Sequence, residues 1–392
     1  MKIDNTLSKS MEIILRIFGI WPNSSYILLR RLFWTIAILM EQFLEYQWVV
    51  KHFHSSEPFE VMKTLSEGLT YTIMFIKVFI FWIKKRTFVR ILTMMAIDWK
   101  NRNVDEVSMI STTYNANLSR RFNNGTVILY ALTVIISSNV SSVFISDRND
   151  EQASNTSTRL LIMNMDLPFD LNRTLIYGLI LIIQFIHLML CANINGLLNI
   201  LLINLILHVG GQIDILRKWL MDMFPKEGNL CEESSLSPSI VEKIIKKHRQ
   251  IITFSEHIEE LYTNIAMVLF VSDTLIICCL GYILVVSIGT PDAVKIITGT
   301  ILFYMVSILE SFIYCFTGDY LTNKTNSIGD AAYNSYWYKG NSRENRFILF
   351  LIMRSQKQLT LTIGKIMDLS MQRFSSIIKA SASYISVLIA MY

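Results

Sequence analysis

Leu175 to Val209 reads LIYGLILIIQFIHLMLCANINGLLNILLINLILHV, 35 residues without a Lys, Arg, Asp or Glu. A helix of that length runs about 52 Å at roughly 1.5 Å per residue, whereas about 20 apolar residues already cross a hydrocarbon core of about 30 Å. The stretch predicts a membrane-spanning helix that projects beyond the bilayer. The rest of the chain agrees. Of 392 residues, 52% are hydrophobic and 17% charged, beyond the apolar share of a soluble domain. Seven spans are predicted: Leu32 to Val50, Val61 to Ile83, Val127 to Ile145, Leu175 to Leu207, Leu261 to Ile288, Val294 to Phe316, and a region from Phe347 onward. Arg354, Lys357, Lys365 and Arg373 interrupt the last, so only Phe374 to Tyr392 is expected to cross, and the part before it is expected to be a helix buried in protein. The fold class is all-α, a seven-transmembrane helical protein.

Basic residues set the orientation. The connections on one side, with the segment before the first span, hold 24 Lys and Arg, from Lys2 to Arg346. The alternate connections hold four, Lys51, Arg148, Arg159 and Arg173. The N-terminus is therefore expected in the cytoplasm and, after seven crossings, the C-terminus outside. No cleavable leader is expected, because the apolar patch Ile13 to Trp21 is short and carries Arg16. Tyr384 to Tyr392 ends the chain inside a hydrophobic stretch with no charged tail, so the last helix is expected to be a working part rather than an anchor. The five cysteines fall in spans or a cytoplasmic connection, where no disulfide is expected. The net charge of +5 follows from the positive-inside bias and points to no nucleic-acid partner.

With no repeat and no long linker, residues 1–392 read as a single membrane domain. It divides into a cytoplasmic N-terminal segment (1–31), spans one to six (32–316), a cytoplasmic connection with an anchor helix (317–371) and the last helix (372–392). Asn155, in Asn155-Thr156-Ser157, is a glycosylation sequon on the expected exterior side. After Pro238, Ser239 to Glu242 reads as a capping box. Ile240, Ile244, Ile251, Ile258 and Leu261 then keep a helical apolar stripe that needs a partner beneath the membrane, for which Phe347 to Ile366 is the candidate. Together they predict a compact cytoplasmic helical platform.

Spanning segments also carry charge: Glu41, Glu45, Lys63, Glu67, Lys77, Asp273 and Glu310. Each costs about 2.5–3.5 kcal/mol at a helix centre on insertion scales. Glu41, Glu45 and Lys63 are expected near the outer surface, where they can snorkel. Asp273 and Glu310 are expected to make structural hydrogen bonds. In the final helix Ser376, Lys379, Ser383, Val387 and Ala390 or Met391 share one face. Such a small, weakly polar face either lines water, with Val387 and Met391 as a constriction, or packs closely on another helix; spacing allows both. The six histidines offer only His52-x-His54 as metal-ligand spacing. No catalytic motif, cofactor site or metal site is read.

Phe18-Gly19-Ile20-Trp21-Pro22 and Leu167-Pro168-Phe169-Asp170 resemble segments of the insect odorant receptor family. The stronger match lies in the last 75 residues: Gly318-Asp319, Ala332-Tyr333, Trp337-Tyr338, Arg354 to Lys357, Leu361-Thr362, Gly364-Lys365, Phe374 and Ser383 to Leu388. Gln358 departs from the proline usual in that family. The resemblance implies a ligand-gated nonselective cation channel of four subunits in the plasma membrane of olfactory sensory neurons, with the final helices lining a shared pore through Ser383, Val387, Ala390 and Met391. It implies a mostly apolar pocket for a small volatile ligand among the second, third, fourth and sixth spans, at the depth of Tyr71, Phe75, Ser137, Val140, Tyr177, Ile180, Phe303 and Tyr304. It also implies a partner. The family's common coreceptor has a much longer loop than Gly210 to Glu260, so this chain resembles the ligand-tuning subunit that pairs with it. A gustatory-type channel is the near alternative, but its Thr-Tyr and Gln-Phe ending is absent. A G-protein-coupled receptor would require an exterior N-terminus, and a transporter would show paired repeats.

Overall fold

The computed structural model describes residues 7–22, 24–53, 58–101, 117–138, 161–166, 174–224, 238–288 and 293–391. Ten α-helices occur among them: α1 (Lys9–Ile17), α2 (Ile27–His52), α3 (Pro58–Ile83), α4 (Lys85–Asn101), α5 (117–138), α6 (Thr174–Met221), α7 (Pro238–Val286), α8 (Ala293–Tyr333), α9 (Ser342–Ser355) and α10 (Met371–Met391). Four combine the length and composition needed to cross a membrane: α3, α6, α7 and α8. α2, α5 and α10 correspond to the other three expected spans. α6 and α7 reach 48 and 49 residues, about 72 Å and 74 Å at roughly 1.5 Å per residue, so both run well past one bilayer. Their extensions gather with α1, α4 and α9 at one end of the bundle, termed the base.

α7 is the hub, packing on α3, α4, α6, α8 and α10. Its stripe is buried at Ile244, Ile251, Ile258 and Leu261, while Ile240, near the helix start, stays exposed. The partner of the stripe differs from expectation. α4 and α6 pack on α7, and of Phe347 to Ile366 only the hairpin end meets it, through β1, whereas α9 packs chiefly on α8. The described part of α7 runs from Pro238, so Ser239 lies within the helix rather than capping it.

Phe347 to Ile366 is not one helix. α9 stops at Ser355, and Thr362–Ile363 (β1) pairs antiparallel with Met367–Asp368 (β2). The turn needs two left-handed residues, Gly364 at φ +59° and Lys365 at φ +62°, the pattern of a primed hairpin turn. Thr263 of α7 pins it, its carbonyl accepting from Gly364 N at 3.0 Å and its hydroxyl from Lys365 N at 3.2 Å. α8 meets the hairpin at Gly318, where a Cβ would stand 2.5 Å from Leu369 Cβ and 2.7 Å from the Leu369 carbonyl oxygen.

The N-terminal segment is held similarly. Gly19, at φ +66°, follows α1 and lets Ile20 N reach back to Leu15 O at 2.9 Å. Trp34 and Trp82 donate to the carbonyls of Ile17 and Phe18, each at 3.0 Å, and Phe18 stacks on Trp34 at 4.1 Å. At the base, Asp98 of α4 takes hydrogen bonds from His208 (3.0 Å) and Gln250 (2.9 Å) and faces Lys247 at 3.3 Å. Burial pushes the Asp98 carboxyl up, but the His208 hydrogen bond and the Lys247 charge outweigh it, so it lies below its ordinary value of 3.8.

Two outcomes follow. Gly318→Ala should destabilise the protein by about 1–3 kcal/mol through overpacking against backbone that cannot yield, whereas Gly125→Ala, with nothing within 4 Å, should be neutral or gain up to about 1 kcal/mol in helix propensity; thermal unfolding of the detergent-solubilised protein reads both. Because the folded Asp98 pKa is depressed, its contribution is complete above the unfolded value and disappears as pH falls from roughly 4 downward. Asp98→Asn should therefore lower stability at neutral pH by about 1–3 kcal/mol and blunt the acid-induced loss.

Candidate functional site

Five helices and a short segment enclose a cavity of about 960 Å³, counting its open mouth. α3 contributes Glu67, Tyr71 and Met74, α5 Tyr130, Val134 and Ser137, α6 Leu188, Cys191 and Asn195, α7 Asp273 and Ile276, α8 Phe303, Val306 and Glu310, and Met163 comes from the 161–166 segment. The lining residues recur every three or four positions on α3, α5, α6 and α8. Helical periodicity presents that spacing as one inward face, and on α3, α6 and α8 the same face ends in polar groups.

Those groups form the floor. The Lys77 ammonium donates to Asn195 Oδ1 and Asn199 Oδ1, each at 2.8 Å, and pairs with Glu310 Oε1. Asn195 Nδ2 donates to Glu310 Oε2 at 3.1 Å, and Asn199 Nδ2 to the Tyr130 hydroxyl at 3.2 Å. Nearby, Ser311 donates to Asp273 at 2.5 Å. Lys77 and Asp273 are each 1% exposed and Glu310 5%, so these charges are held by protein partners, as a low-dielectric setting demands. The expectation of structural hydrogen bonds at Asp273 and Glu310 is met by this geometry; in the sequence Lys77, their organiser, is visible only as an intramembrane charge.

Of the residues expected to bind ligand, Tyr71, Ser137 and Phe303 line the cavity. Phe75 instead packs toward Phe79 and Trp82 in the main core. Tyr304 packs with the smaller cluster around Ile276, Leu280 and Ile283. Tyr177 and Ile180 lie on α6 away from the lining, and Val140 falls outside the described residues, as does the glycosylation sequon at Asn155. Glu67, Met74, Tyr130, Leu188, Asn195 and Ile276 join the lining beyond the expected set. Extending the heptad-like spacing from Tyr71 and Ser137 would have reached Met74, Tyr130 and Val134, but Asn195 sits in a stretch whose polar residues spacing alone does not orient.

The outer acidic residues do not snorkel as a group. Glu45 is wholly buried against Gly68 of α3, where a Cβ would stand 3.4 Å from Glu45 Oε2, and Glu41 pairs with His187 of α6. The cause is the α2–α3 contact, zipped by Gln42 to Gly68 O at 3.2 Å and Tyr46 to Thr72 at 2.8 Å, which turns this face of α2 inward.

α10 has two distinct faces. Ile377 and Ser381 are buried, Ser381 donating to the Thr274 carbonyl of α7 at 3.2 Å, and Ile385 presses on Gly281. Ser376, Lys379, Ser383, Val387 and Ala390 are exposed, Val387 to 56%. This face makes no close packing within its own chain among the described residues. Met391 ends the helix.

Lys77→Met should leave Glu310 buried without its cation and cost about 3–5 kcal/mol. Lys77→Met combined with Glu310→Gln should recover part of that loss, and a double-mutant cycle on thermal unfolding and surface expression measures how much. A loss in the double variant equal to the sum of the two single-variant losses would show that the pair is not coupled.

The family model described as 7tm Odorant receptor matches residues 57–382. Odorant receptor 10 of Aedes albopictus is 26% identical over 167 residues, which is 43% of this chain and 44% of that protein. Odorant receptor 22c of Drosophila melanogaster is 26% identical over 169 residues, 43% of this chain and 39% of that protein. The odorant receptor coreceptor of Aedes aegypti is 24% identical over 152 residues, 38% of this chain and 31% of that protein. The chain thus spans under half the length of the curated relatives it matches. The insect olfactory receptor OR5 from Machilis hrabei, solved in complex with eugenol, has the same fold, with a TM-score of 0.80 at 17% identity over 98% of this chain and 97% of that one. With the match running from residue 57 to residue 382, this chain belongs to the 7tm odorant receptor family.

Proposed function

We propose that this chain is the odorant-tuning subunit of a ligand-gated, nonselective cation channel that assembles with a coreceptor subunit as a heterotetramer. The family is one of receptors and not of enzymes. In this reading residues 1–392 form one seven-span domain in the plasma membrane of olfactory sensory neurons, with the N-terminus and the base in the cytoplasm and the C-terminus outside. The cavity takes a small volatile molecule through dispersion against Tyr71, Met74 and Phe303, with few polar contacts. The OR5 complex supports a small aromatic ligand as the kind of molecule such a fold holds.

The observation that carries the channel reading is α10. Its buried face is taken by α7 and α8, and the exposed remainder carries the small or weakly polar Ser383, Val387 and Ala390 beside the larger Tyr384 and Ile389. Four such faces around an axis would line water, with Val387 and Met391 as the constriction that dewets when narrow. Ligand binding opens it only to the extent that the ligand prefers the open bundle.

Co-expression with an insect coreceptor and a broad panel of volatiles tests this. Evoked currents should require both chains, Val387→Trp should shrink them several-fold at matched surface expression, and Val387→Glu should shift the reversal potential in mixed mono- and divalent solutions. Unchanged currents in both variants would remove the pore assignment. No current from any combination would remove the channel reading.

A further inference from the structure

The polar groups of the cavity floor are unequally engaged. An ammonium has three N–H donors, and Lys77 has all three engaged, with Asn195, Asn199 and Glu310. The Thr70, Thr133 and Ser307 hydroxyls donate to the carbonyls of Ser66 (2.8 Å), Leu129 (2.8 Å) and Phe303 (3.1 Å) in their own helices, so each brings lone pairs and no proton to the cavity. Among the described residues, unengaged donors remain on the Tyr71 hydroxyl, on the Tyr130 hydroxyl, which accepts from Asn199, and on the Asn195 amide, whose other N–H is on Glu310.

Acceptors are in excess. Each Glu310 oxygen has one protein partner and lone-pair capacity to spare. Asp273 accepts only from Ser311, and the Glu67 carboxylate makes no hydrogen bond among the described residues. Three carboxyl groups line the cavity, Glu67, Asp273 and Glu310, against the single ammonium of Lys77 at its floor. A proton held on Glu67 or Asp273 gives that carboxyl one donor and leaves it lone pairs, so acceptors still outnumber donors.

We propose that the cavity selects apolar molecules whose polar end carries a hydrogen-bond donor, an alcohol, phenol or amine, over ethers, esters and ketones of the same size. The proposal rests on the ligand-gated reading above. A hydroxyl at the floor accepts from Tyr130 or Asn195 and gives its own proton to Asp273 or Glu310. An ether or ketone makes the first contact only, and sets a lone pair against carboxylate oxygens from which it has displaced water. A buried polar group left unpaired costs more than a paired one returns, which is why sites built around hydrogen bonds discriminate strongly against analogues that lack them. The contrary arrangement is a ligand seated wholly among Tyr71, Met163 and Phe303, indifferent to its head group.

Matched probes separate the two: octanol with its methyl ether and octanone, para-ethylphenol with its methyl ether, and octylamine, applied to the chain co-expressed with the coreceptor. The donor of each set should reach half-maximal current at a concentration at least about tenfold below its non-donor partner. Asp273→Asn keeps an acceptor for Ser311 but replaces the carboxylate with an amide, and should narrow that gap to roughly threefold or less. Equal potency within the sets, preference for ethers or ketones, or a gap untouched by Asp273→Asn at normal surface expression would overturn the inference while leaving the receptor reading intact. A panel without any response would remove the receptor reading and the inference with it. Should Asp273→Asn fail to reach the surface, the wild-type comparison alone decides.

Discussion

Lys77 is the group on which the arrangement of the spans turns. An ammonium in a spanning helix costs about 2.5–3.5 kcal/mol by insertion scales unless partners meet it, and α3 supplies none of its own. α6 brings Asn195 and Asn199, one turn apart, and α8 brings Glu310. A side chain four residues away along any of these helices would face the same side one turn off, whereas a neighbour in sequence would face elsewhere. Meeting this one cation therefore fixes both rotation and height for α3, α6 and α8. Tyr130 adds α5 to the same network through Asn199. The cavity begins where the network ends, lined by the apolar faces of the same helices.

Most of the helices were legible because hydropathy is a long-range, additive signal: 35 uncharged residues from Leu175 to Val209 admit no other reading in a chain this apolar. The buried stripe of Ile244, Ile251, Ile258 and Leu261 was legible for the same reason, since its spacing repeats. What covers the stripe was not. An apolar face fits any complementary face, and only tertiary structure decides that α4, α6 and β1 pack on α7 while α9 goes to α8. The hairpin at Thr362–Asp368 was invisible in principle. Two-residue strands carry no period, and the charges at Lys357 and Lys365 read as breaks in a helix rather than as a turn.

The candidate site shows the same division. Charge in a span marks a residue that must be accommodated, so Lys77, Asp273 and Glu310 stood out, but one-dimensional depth could not separate cavity-facing from core-facing aromatics. Tyr71 and Phe75 lie one turn apart on α3, yet Tyr71 lines the cavity and Phe75 packs beside Trp82. Glu45 shows the converse. Its place near a span end suggested the membrane surface, and the tight contact with Gly68 made it core. Depth places a residue along the bilayer normal; it is the rotation of the helix that decides what the residue touches.

α7 joins the two halves of the proposed mechanism over a single peptide unit. Asp273 lines the cavity, and the carbonyl of the next residue, Thr274, holds Ser381 of α10. Two turns on, Gly281 lets Ile385 approach so closely that a Cβ there would stand 2.4 Å from the Ile385 Cδ1 atom. A helix seated this tightly cannot slide past its neighbour without loss of packing, because protein interiors are close to crystal density and respond to displacement as bodies. A ligand that contacts Asp273 or Ile276 more favourably in one position of α7 than in another therefore acts on the position of α10 as well. Contiguity gives the route, and the energy carried along it is set by how differently the ligand binds the two positions. A pocket formed only by α3, α5 and α6 would have no such hold on the last helix, so in the proposed mechanism the presence of α7 in its wall is what ties binding to opening.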